Sequence, residues 1–187
     1  MVYFVTWTSS ADSKQFDSYN KDMRQIILIA HDIRSSHNVG SLFRTAEGLG
    51  VKQIILTGYT AYPLAAKEDR LPHLAKKIDS QISKTALGAE KMLPWQREAG
   101  INSVISSLKK QNFVIAALEQ VAGSTSLFDY QPPNKLAIIV GNEVKGLEAS
   151  VVQLCDLTLE IPMLGHKESF NVVQAAAMAL YHCRFTT

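Results

Sequence analysis

Apolar runs and their polar interruptions divide the chain beyond residue 24 into alternating strands and helices. Gln25-Ile-Ile-Leu-Ile-Ala30 is almost continuously apolar, the pattern of a strand buried on both faces. The turn His31-Asp-Ile-Arg34-Ser-Ser-His37 follows, and a helix is expected from Asn38, as its cap, to Gly48 or Gly50. Residues 51–57 read as a second strand, which makes the first third of the domain a βαβ unit. Ile101, Val104, Ile105 and Leu108 keep the i, i+3, i+4, i+7 spacing of a helix ending near Lys110 or Asn112. Residues 113–118, 135–140 and 157–161 read as strands. Val151, Val152 and Leu154 mark a helix between the last two, and a final helix covers about Asn171 to Phe185. This alternation predicts an α/β fold, a mostly parallel sheet with helices on both faces.

The pattern weakens in two places. Residues 1–24 mix aromatics with Ser, Asp and Lys and read as a leader that packs on the domain or frays, leaving 25–187 as one domain. Residues 58–95, broken by Pro63, Pro72 and Pro94, read as a solvated connection. Their dispersed Lys67, Arg70, Lys76, Lys77, Lys84 and Lys91 also allow contact with a polyanion.

Composition narrows the classes. Hydrophobic residues make up 47% and charged residues 19% of the 187, a globular balance. The net charge of +2 is too small to argue a nucleic-acid partner from the total, so that case rests on where the charges sit. Cys155 and Cys183, each within a predicted helix and without CxxC or histidine spacing, are expected to be reduced, buried thiols and not metal ligands. No run approaches the roughly 20 apolar residues of a membrane span. The amino terminus lacks the basic start and apolar core of a secretory signal, so the expected location is the cytoplasm.

Candidate chemistry gathers on three turns. Gly141 and Gly146 have the spacing of a phosphate loop but lack the Lys-Ser/Thr that must follow, and no GxGxxG follows any strand. In the first turn, Gly40 and Arg44 share a helix face, and the bare Gly40 is expected to let the guanidinium fold back over Asn38 as a phosphate clamp. The competing reading is a surface ion pair of Arg44 with Glu47, with Asn38 merely capping. In the second turn, Glu143 lies between the two glycines, with Asn142 and Lys145. It is able to orient Arg44 or Asn38, accept a proton, or sit as a helix-start acid. In the third, Asn171-Val-Val-Gln174 fits a capping box, yet Ser169 and Asn171 flank Phe170 beside Lys167 and Glu168, more polarity than one cap needs.

Taken together, Asn38-Val-Gly-Ser-Leu-Phe-Arg44-Thr-Ala, Gly141-Asn-Glu143-Val-Lys-Gly146-Leu147 with Ile161-Pro-Met163, and Ser169-Phe170-Asn171-Val172 resemble the three ordered motifs of the SpoU or TrmH family of RNA ribose 2′-O-methyltransferases, in the SPOUT superfamily. Lys84-Thr-Ala-Leu-Gly88-Ala-Glu90 also looks typical, and the resemblance covers residues 25 to 185. Phe170 stands where the family usually has leucine, and Val173-Gln174 replaces small residues. The resemblance implies a carboxyl-terminal trefoil knot, a homodimer, S-adenosylmethionine as cofactor, tRNA or rRNA as substrate, and no metal. It places cofactor contacts at Leu118, Gly141, Ile161, Met163 and Phe170, and the catalytic group at Asn38, Arg44, Glu143, Ser169 and Asn171. RNA contacts are expected from Arg34, Arg44, Lys145 and Lys167, near His31, His37 and His166. A catalytically silent RNA- or cofactor-binding module and an RNA base methyltransferase are the rival readings.

Overall fold

A computed structural model describes residues 24–186. Seven strands form one sheet: β1 (Gln25–His31), β2 (Gln53–Thr57), β3 (Trp95–Glu98), β4 (Val114–Leu118), β5 (Thr125–Ser126), β6 (Lys135–Val140) and β7 (Leu157–Glu160). Their order is β3-β2-β1-β6-β4-β7-β5, and every neighbouring pair is parallel. Among the described residues six α-helices accompany them: α1 (Ser36–Gly48), α2 (Pro72–Ala86), α3 (Ala89–Met92), α4 (Ile101–Lys110), α5 (Ala149–Val152) and α6 (Val172–Phe185).

Strand alternation feeds two cores. Ile26, Leu28 and Ala30 of β1 join α1, α2, α3 and α6 on one face, while Ile27 and Ile29 join α4 and α5 on the other. A run that is apolar throughout its interior is what two covered faces require, so the expected α/β architecture is found. The α4 stripe is buried at all four predicted residues.

Three expectations need correction. The cap of α1 is Ser35, whose hydroxyl accepts from the Asn38 amide at 3.3 Å; Asn38 lies inside the first turn and its side chain is free for another task. Residues 58–95 are not a plain connection, since they hold α2, α3 and the start of β3. Pro72 sits at the start of α2, where a missing N–H does no harm, and Leu87 and Gly88 end the helix with φ of 52° and 98°. Cys155 lies beyond α5, half-buried, whereas Cys183 is buried within α6; burial pushes their thiols up to about 11 and about 12. The short strand β5 had no signature in the pattern. The leader falls outside the described residues except for Arg24.

That residue begins a clamp. Arg24 donates to the carbonyls of Pro132 and Thr186, and the buried Arg184 donates to those of Leu49, Gly50 and Arg24 at 2.6–3.0 Å. Burial first, and then the neighbouring Arg24, lower the Arg184 pKa, and the three carbonyls hold its charge.

Candidate active site

Because all strands are parallel, the turns after β1, β2, β4, β6 and β7 leave the same edge of the sheet. The turn after β6 is a closed unit. Asn142 and Gly146 exchange backbone hydrogen bonds of 3.2 and 3.0 Å, and Asn142 Oδ1 accepts from the amides of Val144 and Lys145 at 2.9 Å. Asn142 Nδ2 donates to the Asp32 carbonyl and the Tyr59 hydroxyl, anchoring the turn to the exits of β1 and β2. Both glycines are needed. A Cβ on Gly141 would lie 2.7 Å from the Gly146 carbonyl oxygen. Gly146 has φ +67° and its Cβ would collide with the Glu119 carboxylate.

Glu119 joins two exits. Its Oε2 accepts from the Leu147 amide at 2.8 Å and its Oε1 from the Gln120 amide at 3.0 Å, so the loop after β4 is fixed to the turn after β6.

Glu143 crosses in the other direction, to the start of α1. Oε1 accepts from the Ser35 amide at 3.0 Å and from Asn38 Nδ2 at 2.9 Å, and Oε2 accepts from the Arg34 amide at 3.1 Å. Burial alone would raise the Glu143 pKa. The hydrogen bonds from Asn38 and from the backbone outweigh it, and the carboxyl stands below its ordinary value. Of the roles open in the sequence, orienting Asn38 is the one the geometry adopts. Glu143 is a helix-start acid as well, though for α1 and not for a helix of its own.

Between these turns and the segment after β7 lies a cleft of about 340 Å³, within the usual range of small-molecule sites. Leu118, Gly141, Ile161, Met163 and Phe170 all line it, together with Glu143, Lys145 and Ser169. Among the described residues, the backbone groups of Gly141, Ile161 and Met163 have no hydrogen-bond partner. Unpaired main-chain donors and acceptors with apolar walls suit a flat heteroaromatic ligand read by the backbone, as an adenosyl group would be.

Residues 25–181 match the model of the SpoU rRNA Methylase family. The chain belongs to that family. A Staphylococcus haemolyticus (strain JCSC1435) relative, assigned to the TrmH family of tRNA/rRNA methyltransferases, is 28% identical over 173 residues, 91% of this chain. The match spans 64% of that relative, just under two thirds of its length. The SpoU methyltransferase AviRb from Streptomyces viridochromogenes, solved with AdoMet, superposes with a TM-score of 0.69 at 24% identity, over 87% of this chain and 57% of that one. A structure described as giving insight into 2-OH methylation of C/U34 on tRNA superposes with a TM-score of 0.68 at 20% identity, over 86% and 94%. At these identities the structures establish the shared SpoU fold.

Several residues of the SpoU motifs stand outside the cleft lining. Arg44 is exposed on α1, six residues and about 9 Å of helix rise beyond Asn38. It makes no ion pair with Glu47 or any other acid among the described residues. The reason for Gly40 is also different from the one expected. A Cβ there would strike the Ile82 carbonyl and the Thr85 hydroxyl, so the glycine serves the contact of α1 with α2 and not the reach of Arg44. Asn171 is exposed and caps α6, its Oδ1 accepting from the Val173 amide at 2.9 Å, so capping is realised; the return bond from Gln174 is absent among the described residues. Arg34 and Lys167, outside the lining, and Lys145, within it, are exposed and free of salt bridges among the described residues. His37 and His166 are exposed, but His31 is buried, with Nδ1 2.9 Å from the Thr57 hydroxyl.

Glu119 and Asn142 also build the site, although the sequence pattern does not single them out. The only signal was position: an acid following an apolar strand, and an amide between two glycines. Among the described residues no group of three or more His, Cys, Asp or Glu is placed to hold a metal, and no helix is long and apolar enough to cross a membrane.

Proposed function

We propose that this SpoU-family chain transfers the methyl group of S-adenosylmethionine to a ribose 2′-hydroxyl of tRNA or rRNA, in the cytoplasm and as a homodimer. The observation that carries the reading is the cleft whose backbone groups at Gly141, Ile161 and Met163 are unpaired, enclosed by Leu118 and Phe170. Bound there, the cofactor supplies a sulfonium methyl, an electrophile that needs alignment more than further activation.

Gly141, Ile161 and Met163 read the adenine through their main chain. Arg44, Arg34, Lys145 and Lys167 bring local positive charge to this edge and hold the RNA backbone, with Arg44 gripping phosphate and ribose. Ser169 and Asn171 orient the ribose. With Oδ1 of Asn171 occupied by the cap, its Nδ2 is the donor left for that role. The hydrogen bonds that hold Glu143 below its ordinary pKa make it a weak base, and a guanidinium has no lone pair with which to accept a proton, so Arg44 acts as a clamp on phosphate and ribose and the base that takes the hydroxyl proton is left open. Glu143 then serves by fixing Asn38 and the entry to α1.

The trefoil knot belongs to the same reading. It is supported by the adjacency of β6, β4 and β7, whose exits wall the cleft although they are not consecutive in the chain. The dimer is supported by exposed apolar side chains on the last segment and α6, namely Leu164, Phe170, Tyr181 and Phe185.

The test is incubation with methyl-labelled S-adenosylmethionine and total RNA, followed by nuclease digestion. Label on ribose supports the proposal, label on a base makes the protein a base methyltransferase, and cofactor binding without transfer makes it a silent module. Arg44→Lys is expected to keep cofactor binding and lose most turnover, and near-normal turnover would remove Arg44 from the mechanism.

A further inference from the structure

A second cavity, of about 540 Å³, lies at the β3 edge of the sheet, lined by Tyr62, Lys67, Glu68, Asp69, Trp95 and Arg97. It shares no residue with the cleft. The loop between β2 and α2 builds it by folding back over the sheet edge. Tyr62 is buried with its ring centroid 6.5 Å from that of Trp95, and Trp95 meets Phe43 edge-on at 6.4 Å.

The charged groups here fall into two sets. Arg70 is fully engaged: its guanidinium lies 3.6 Å from the Tyr62 centroid, bonds both oxygens of Glu68 at 2.7 and 2.6 Å, and donates to the carbonyls of Tyr62 and Pro63. Glu68 is neutralised by that pairing. Arg97 is different, since its guanidinium lies 4.7 Å over the same ring, yet it is exposed and has no acidic partner among the described residues. Lys67 is likewise exposed and unpaired among the described residues. Asp69 accepts the Tyr62 hydroxyl at 3.0 Å through one oxygen, leaving the other without a partner among the described residues. Two uncommitted cations therefore face one carboxylate, an excess that suits an anion with a flat apolar part. A planar guanidinium beside an indole stacks on any base, and a lysine beside them takes a phosphate as a point charge.

We infer that this cavity holds one unpaired RNA nucleotide, with its base stacked on the wall formed by Trp95 and Arg97 and its phosphate on Lys67. The inference rests on the RNA reading above. From β6 to β3 is three strand spacings, about 14 Å, so the nucleotide held here flanks the one that is methylated. The site gives the enzyme a grip on single-stranded sequence beside its target.

The chain has two tryptophans, so in a Trp7→Phe background Trp95 reports alone. Titration with a single-stranded RNA hexamer should quench its emission, because a stacked base is in contact with the indole. Arg97→Ala and Arg97→Lys should each weaken hexamer binding about 5- to 150-fold, the range of about 1–3 kcal/mol per stacked base, with S-adenosylmethionine affinity and melting temperature unchanged. Lys67→Ala should weaken binding and reduce its salt dependence, with S-adenosylmethionine affinity and melting temperature unchanged. Full affinity in Arg97→Lys would reduce the site to a point charge and overturn the stacking, as would absence of quenching. Methyl transfer is measured on the same samples. Quenching without transfer sinks the enzyme reading alone, and transfer without quenching sinks this one alone.

Discussion

Gly40→Ala sets two effects of opposite sign against each other. In a free helix, alanine is favoured over glycine by about 1 kcal/mol, so propensity predicts a more stable protein. The packing predicts the reverse. The new methyl would overlap the Ile82 carbonyl, which is backbone and has nowhere to turn, and the Thr85 hydroxyl, which donates to the His37 carbonyl at 2.8 Å. Overpacking of this kind costs about 1–3 kcal/mol, and loss of the Thr85 bond adds about 1 kcal/mol. Setting these against the propensity gain leaves a destabilisation of about 2 kcal/mol, which for a domain of this size lowers Tm by roughly 4–8 °C. Calorimetry of parent and variant measures it directly. Thr85→Ala in the Gly40→Ala background should not restore the parent, because the Ile82 carbonyl remains in place. An unchanged or raised Tm would show that α1 and α2 are not locked at this point, and the account of Gly40 would fall.

Three further outcomes are expected. The folded pKa of Glu143 is lowered, so its stabilisation is present above the ordinary glutamate value of 4.5 and is lost as pH falls through the folded value; the urea-midpoint gap between parent and Glu143→Gln should therefore be open at neutral pH and close on acidification. A constant gap would show that the charge is not what the amides of Arg34 and Ser35 recognise. Glu119→Ala releases the Leu147 amide and the support over Gly146, so equilibrium dialysis should show S-adenosylmethionine bound about tenfold more weakly and urea titration a loss of about 1–3 kcal/mol; unaltered affinity would make Glu119 a bystander. Arg184→Met leaves three carbonyls without their donor and should destabilise by about 2–3 kcal/mol in urea titration, whereas a neutral result would mean that water replaces the guanidinium without loss.

Legibility followed burial. Strands apolar at every position after the first, such as 25–30 and 135–140, are readable to within a residue because both of their faces are covered. Helix α2 was not, since only Ala75, Ile82 and Ala86 are buried on it while Leu71 and Leu74 beside them are exposed, and Pro72 reads equally well as a break. The cap of α1 was displaced by three residues because Ser35, Ser36 and Asn38 are all competent caps, and the choice of Ser35 is stabilised from 108 residues away by Glu143. Cleft-lining positions were found through a family pattern; their unpaired backbone groups leave no mark in side-chain identity. Strand order was hidden for a related reason, since parallel neighbours need not be neighbours in the chain.

The central position of β1 has a kinetic consequence. Ile27 pairs with Gln53 on one side and with Ala137 on the other, separations of 26 and 110 residues. Closing the longer loop carries about 1.2 kcal/mol more chain entropy, two doublings of length. The half of the sheet made of β1, β2 and β3 with α1 is thus free to organise early, while β6, β4 and β7 join across long separations, a slow step. Glu143 reaches Ser35 and Asn38 only after that joining. Recovery of the Glu143 contacts during refolding therefore times the joining of β6 to β1 and not the formation of α1, and a chain with all of α1 formed is still without a site.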